Sequence, residues 1–391
     1  MSFEFATATR IVFGDGAVQQ VAPAATHWGQ RVLVVTGRSP EPGNRLSADL
    51  EARGARTVAF TVAGEPDVDL ITRGLREARE GRCDVVVAVG GGSVIDTGKA
   101  IAGLLTNPGE ISDYLEVVGK GKPLQHQAAP FIAVPTTAGT GAEVTRNAVL
   151  GVPSANGLKV SLRSPLLLPR LAVVDPQLTL GLPPAITART GLDALTQLIE
   201  AYVSIRANPV TDGFCVQGIA LVARSLRRAF HHGAEPEPRH DMALAALLSG
   251  MALANAGLGV VHGFAAPLGG RFHAPHGAIC AAILPYGMEA NLRALRDRDS
   301  ESIALRRYEE VARMLTGHPG ATAEDAVSWA RDLCSELEIP PLAAYGVSER
   351  DVPELVRESA KTSSMKGNPL VLTPEELREV LLRSIEGTRH R

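Results

Sequence analysis

Asp84-Val-Val-Val-Ala-Val89 runs without a polar break into Gly90-Gly-Gly92-Ser93, and a helical pattern over residues 95–105 follows at once. An apolar, β-branched run with no alternation marks a strand buried on both faces, as in a parallel sheet covered by helices on each side. The flanking sequence repeats the rhythm. Upstream, 32–35 reads as a strand stopped by Thr36-Gly37, 44–53 as a helix and 58–62 as a strand. A helix over 69–80 follows, with Leu70, Ile71, Leu75 and Ala78 recurring at three and four. Downstream, 131–135 and 171–175 are strands. Residues 149–151 and 159–162 are read as a hairpin around 153–157, with Asn156-Gly157 at the turn.

After Leu182-Pro183-Pro184 the period changes. Helical patterns rich in Ala and Leu occupy 190–203, 213–232, 241–257, 303–316, 322–338, 350–361 and 374–386. At 391 residues the chain exceeds the ~250–300 residues at which one hydrophobic core stops growing. We therefore expect an α/β domain at 1–182 and an all-helical domain at 183–391.

The 39 basic and 42 acidic residues leave a net charge of −3, which argues against a nucleic-acid or anionic-membrane partner. No apolar run reaches the ~18 residues of a membrane span. Met1-Ser2-Phe3-Glu4-Phe5 has neither a basic nor an apolar targeting region. Cys83, Cys215, Cys280 and Cys334 form no C-x-x-C pair and read as buried free thiols. A cytoplasmic protein is expected. Residues 3–5 and 11–13 read as strands that pair across a homodimer.

Three glycines opening a helix remove the Cβ atoms that would keep a ligand from the backbone, and a helix start offers unpaired N–H groups. Gly91, Gly92 and Ser93 are thus read as an anion seat suited to a pyrophosphate. The stretch is not a P-loop, because Ser93 and Ala100 stand where Gly and Ser or Thr would be needed. Gly139-Thr-Gly141-Ala-Glu-Val144 likewise lacks the third glycine of the usual dinucleotide fingerprint. The loop Pro135-Thr136-Thr137-Ala-Gly-Thr140-Gly141 follows the next strand and brings hydroxyls to the same sheet edge. In the second half, Asp193 and Gln197 lie four apart on one helix face. With His262 and His276 they offer one carboxylate and two imidazoles, a set suited to a divalent metal with open positions. Taken singly, each is more often a cap, a core histidine or a surface group.

Together these motifs resemble the iron-containing (group III) alcohol dehydrogenase family. Gly90-Gly-Gly-Ser-Val-Ile-Asp96-Thr-Gly-Lys99 looks like its phosphate loop, and Pro135–Thr145 like its second signature. Asp193-Ala-Leu-Thr-Gln-Leu-Ile-Glu-Ala-Tyr202, His262-Gly-Phe-Ala-Ala-Pro and Pro275-His276-Gly277 look like its metal-binding segments. The resemblance implies an N-terminal α/β dinucleotide-binding domain, an all-α C-terminal domain of dehydroquinate synthase-like architecture, and an active site in the cleft between them. It further implies NAD(P)-dependent oxidation of a small alcohol, or reduction of the aldehyde.

By the same resemblance, Gly91, Gly92 and Ser93 hold the pyrophosphate, and Asp96 in the same motif is a further cofactor-site residue. Thr136, Thr137 and Thr140 contact the adenosine side, and Lys159 the nicotinamide ribose. Asp193, His262 and His276 hold Fe2+ or Zn2+ as a Lewis acid. Gln197 stands where the family usually has a further ligating His, and Ala266 where it often has another. Gln197 is expected as a weak fourth ligand, and His273 as a substitute imidazole or proton relay. The turn Gly37-Arg38-Ser39 carries no acid to take ribose hydroxyls, so NADP(H) is expected in preference to NAD(H). Rival readings are a metal-free maleylacetate-type reductase using Arg146, Arg206, Arg271 and Lys366, a dehydroquinate synthase-like lyase, and a nucleotide-binding protein with a decayed metal site.

Overall fold

The computed structural model describes residues 2–39, 41–152 and 158–387. The chain divides into two compact units, one of residues 6–180 and one of residues 181–387 joined by residues 2–5.

The first unit is built on a six-stranded parallel sheet. Its strands are β1 (Ile11–Phe13), β2 (Arg31–Thr36), β3 (Arg56–Thr61), β4 (Val85–Gly90), β5 (Phe131–Pro135) and β8 (Leu171–Val174), in the order β1-β8-β5-β4-β2-β3. An antiparallel pair, β6 (Asn147–Val152) and β7 (Leu158–Arg163), forms a separate ribbon. The turn expected at 153–157 lies outside the described residues. Helices α1 (Val21–Trp28) and α2 (Glu41–Ala52) cover one face of the large sheet. They pack on Val32, Val34, Val85, Val87 and Ile132. Helices α3 (Val68–Glu80) and α4 (Gly92–Thr106) cover the other, packing on Leu33, Val35, Val86, Ala88 and Ala133. Successive strand residues thus enter opposite cores, which is why 84–89 has no polar alternation. A short helix, α5 (Ile111–Tyr114), follows α4.

Of the strands expected near the N-terminus, residues 11–13 form one, pairing in parallel with β8 at the edge of the sheet, Ile11 opposite Ala172 and Phe13 opposite Val174. Residues 3–5 form no strand, and Phe5 packs on Phe214 with ring centroids 5.7 Å apart.

The second unit is helical: α6 (Pro184–Val203), α7 (Pro209–His231), α8 (Pro236–Ala256), α9 (Val260–Phe272), α10 (His276–Arg298), α11 (Ile303–Thr316), α12 (Ala323–Glu336), α13 (Val352–Ser359) and α14 (Pro374–Glu386). The sequence patterns omit α9 and α10, which carry both candidate histidines. Each holds an internal proline, Pro267 and Pro285, and several glycines, so propensity argues against them. Burial overrides it, since most of both helices is inaccessible to solvent. No single helix among the described residues is long and apolar enough to cross a membrane.

Candidate functional site

In the α/β unit the chain reverses its direction of travel across the sheet between β2 and β4, the place where open α/β sheets bind ligands beyond the strand carboxyl ends. Three loops meet that edge: Gly37-Arg38-Ser39 after β2, Gly91-Gly92-Ser93 after β4 and Thr136–Thr140 after β5. Gly91 caps α4 with no side-chain hydrogen bond. A Cβ on Gly92 would sit 2.8 Å from the Thr140 hydroxyl and one on Gly91 3.4 Å from that of Thr137, so the glycine and threonine loops lie in direct contact. Any side chain at 92 would have to push the Thr140 side chain aside. Lys99, a residue the sequence reading did not single out, is fully buried beneath them. Its Nζ donates to the Ala142 carbonyl (2.7 Å), the Asn147 carbonyl (2.8 Å) and Thr145 Oγ1 (3.0 Å), fixing the far end of the threonine loop. Burial lowers its pKa to about 8.

The remaining expected cofactor residues are partly committed elsewhere. Asp96 accepts from the Val149 N–H (3.1 Å), tying α4 to β6, and burial raises its pKa to about 6. Lys159 pairs with Glu65 at 3.2 Å. Arg38 is exposed and donates from Nε to the Ala63 carbonyl.

In the helical unit, Asp193 (α6), His262 (α9), His276 and Cys280 (both α10) converge, each offering a ligand atom within 4.8 Å of the others. Asp193 Oδ1 lies 3.4 Å from His262 Nε2 and 3.6 Å from His276 Nε2. Each of those nitrogens is 3.7 Å from Cys280 Sγ. Asp193 Oδ1 is buried and makes no hydrogen bond. A buried carboxylate oxygen left without a donor is costly, and beside two imidazole nitrogens it calls for a cation. Desolvation works against charge on all three groups. The imidazoles nevertheless hold the Asp193 pKa below the ordinary value, while Cys280, Asp193 and, for His262, Glu200 hold the imidazole pKa values above theirs.

Glu200, missed by the sequence reading, organises α9. Its Oε2 is 2.6 Å from His262 Nδ1, and its Oε1 accepts from the Val261 N–H at 2.7 Å. One carboxylate therefore satisfies a free N–H at the helix start and sets the imidazole tautomer, with Nδ1 protonated and the Nε2 lone pair facing the cluster. Asn368 Oδ1 takes the Val260 N–H at 3.0 Å. Glu200→Gln is expected to lower metal affinity about 10–100-fold, the usual effect of losing such an outer carboxylate. Equilibrium dialysis against Zn2+ measures this.

The structure brings neither Gln197 nor His273 into the cluster as a donor. Gln197 is no cluster donor: its Oε1 accepts from Ser249 Oγ (2.7 Å) and its Nε2 donates to Asp193 Oδ2 (3.1 Å), so it aims Asp193 Oδ1 inward instead. The carboxylate partner requires the amide nitrogen on that side. His273 ends α9 in the left-handed conformation, exposed and outside the cluster. Of the cations suggested for an anionic substrate, Arg271 is spent on Glu354 (2.8 Å) and Glu358 (3.2 Å). Cys280 lies four residues after His276, the spacing that drew attention to Asp193 and Gln197, and α10 puts the two on one helix face.

Comparison with known proteins bears on both units. The profile for "Iron-containing alcohol dehydrogenase" matches residues 8–176, and that for "Fe-containing alcohol dehydrogenase family, C-terminal" matches residues 187–385. Long-chain-alcohol dehydrogenase 1 of Geobacillus thermodenitrificans is 34% identical over 397 residues, 97% of each chain. The crystal structure of a 1,3-propanediol oxidoreductase superposes with a TM-score of 0.90 at 33% identity, over 98% of this chain and 100% of the other. Sulfoacetaldehyde reductase of Bifidobacterium kashiwanohense, solved in complex with NAD+, gives 0.85 at 28% identity, over 98% and 99%. With its glycine and threonine loops, its cation-seeking cluster and these matches along nearly its whole length, the chain belongs to the iron-containing alcohol dehydrogenase family, oxidoreductases acting on CH–OH groups.

Proposed function

We propose that the protein is a metal-dependent alcohol dehydrogenase and aldehyde reductase that prefers NADP(H), with Asp193, His262 and His276 as metal ligands. The observation that carries this is Asp193 Oδ1, buried, without a hydrogen bond, and within 3.6 Å of two imidazole nitrogens. A divalent ion held by these residues would supply Lewis acidity toward the substrate oxygen, and a bound nicotinamide would supply the hydride chemistry. The chain's own residues do the rest. Glu200 orients His262 and Gln197 orients Asp193. The His276 side chain is 34% exposed and gives the substrate oxygen its approach. Gly91, Gly92 and Ser93 seat the pyrophosphate, with Thr137 and Thr140 alongside, and Asp96, Thr136 and Lys159 complete the contacts. The alcohol proton passes to water, with exposed His273 as its relay. The four free cysteines suit a reducing, cytoplasmic setting.

Stripping the protein with a chelator is expected to lower kcat for aldehyde reduction about 10²-fold or more. Zn2+ or Fe2+ restores it, as suits a Lewis acid worth several kcal/mol. Full activity in protein shown by elemental analysis to be metal-free would end this reading.

Arg38 supports the cofactor preference, because its Nε is pinned by Ala63 while the side chain stays exposed at the end of β2. Hydrogen bonds to a charged group are worth ~1.5–3 kcal/mol, so Arg38→Ala is expected to lower kcat/KM for NADPH about 10–100-fold and to spare NADH. Parallel kinetics with the two cofactors check this. A relative solved with NAD+ shows that the fold accepts that cofactor too, so an NADH preference in the unsubstituted protein would overturn the assignment.

A further inference from the structure

We propose that Cys280 is the fourth protein donor of the cluster, taking the place of the imidazole absent at Gln197, and that its thiolate makes the centre select zinc over ferrous iron. This rests on the reading of Asp193, His262 and His276 as metal ligands.

Geometry is the first support. Zinc bonds of about 2.3 Å to sulfur and 2.0–2.1 Å to nitrogen or oxygen give tetrahedral edges of about 3.5 Å for S···N and about 3.4 Å for N···O. The corresponding separations are 3.7 Å from Cys280 Sγ to each imidazole, and 3.4 and 3.6 Å from Asp193 Oδ1 to the same two nitrogens. Four edges of one tetrahedron are already nearly the right length before any ion draws them in. The second support is the commitment of Gln197, whose amide oxygen is taken by Ser249, so the 197 side of the site supplies no donor. Cys280 is fully buried on the α10 face that carries His276, one helical turn away. Among the described residues, it is the one cysteine in such a group of His, Cys and acid side chains. Cys334, by contrast, spends its thiol on the Ala281 carbonyl at 3.3 Å.

Charge points the same way. One carboxylate and one thiolate balance a dication, so the occupied site is neutral where burial makes net charge expensive. One carboxylate with three imidazoles would leave a net positive charge. A thiolate also shifts selectivity: zinc precedes ferrous iron in the affinity series, and a soft sulfur ligand widens the gap.

The test uses full-length protein freed of metal and titrated with Co2+. The expected result is one equivalent bound, with sulfur-to-cobalt charge-transfer absorption in the near ultraviolet. Cys280→Ser abolishes that absorption and weakens binding more than tenfold. The double variant Gln197→His/Cys280→Ser recovers binding without the absorption. X-ray absorption of the zinc-loaded protein shows one sulfur at about 2.3 Å. Should Cys280→Ser fail to fold, the cobalt and zinc spectra of the unsubstituted protein decide alone. Co2+ bound with no sulfur band overturns the role of Cys280 and leaves the three-ligand site standing. Failure to bind Co2+ or Zn2+ overturns both. Anaerobic competition between equal Zn2+ and Fe2+ that loads iron overturns the selectivity.

Discussion

Asp193→Ala is expected to lower kcat/KM for aldehyde reduction by about 10³-fold or more, a loss of ~4 kcal/mol, while NADPH binds as before. The size follows from what the residue does. It is the carboxylate of the cluster, and its Oδ1 faces His262 and His276 at 3.4 and 3.6 Å. Removing it leaves two imidazoles and a thiol, and a divalent ion loses its charged oxygen ligand. On the proposed assignment of the cofactor to the glycine and threonine loops, which are built wholly within residues 6–180, its binding is spared. His262→Ala is expected to match it, since that ring also uses Glu200. The alanine variant strands the Gln197 amide, which costs stability of its own. Asp193→Asn separates the two effects: its carbonyl keeps the Gln197 bond while the charge is lost. Steady-state kinetics, NADPH fluorescence titration and metal analysis of all three variants are the measurements. Activity within tenfold of the parent in Asp193→Asn and Asp193→Ala would remove Asp193 from the chemistry.

How much of this was legible beforehand depends on the kind of signal. The sheet was legible because Val85–Val89 and Ile132–Val134 are buried on both faces, which forces a continuous apolar run. The glycine loop was legible because three consecutive glycines stand out in the chain, and at 92 an added Cβ would press on the Thr140 side chain at 2.8 Å. The helices α9 and α10 were not. Pro267, Pro285 and their glycines carry the opposite local message, and only burial against neighbouring helices reverses it. Cys280 and Glu200 escaped for another reason. Each is one functional group on a helix face, at four from His276 and seven from Asp193, and spacing alone does not say which facing group a side chain will meet. The partner of Gln197, Ser249, lies 52 residues away on a different helix, so that bond could not be read from the chain.

The second large effect is expected from a residue with no side chain. Gly277→Ala should cost about 1–3 kcal/mol of stability through overpacking and lower kcat about 10²-fold, the loss that a misplacement of ~1 Å can cause. Gly277 follows His276 in the first turn of α10, where the helix backbone lies against α6. A Cβ there would stand 2.3 Å from the Arg189 carbonyl oxygen, 2.9 Å from its carbon and 3.3 Å from Asp193 Cβ. The obstacle is main chain, so it cannot rotate aside, and the two helices must part. They are the elements that bring Asp193 to His276 and Cys280, so the movement opens the cluster directly. Gly213→Ala is the control. Gly213 is an exposed position in α7 where an added Cβ meets nothing within 4 Å, so alanine should raise stability by ~0.5–1 kcal/mol and leave turnover alone. The same chemical change thus carries opposite signs at two sites in one helical unit. Thermal unfolding, metal content and kcat of the two variants, measured side by side, read out the difference. If Gly277→Ala retained its metal and its turnover as Gly213→Ala should, close contact between α6 and α10 would not be what holds the ligands together.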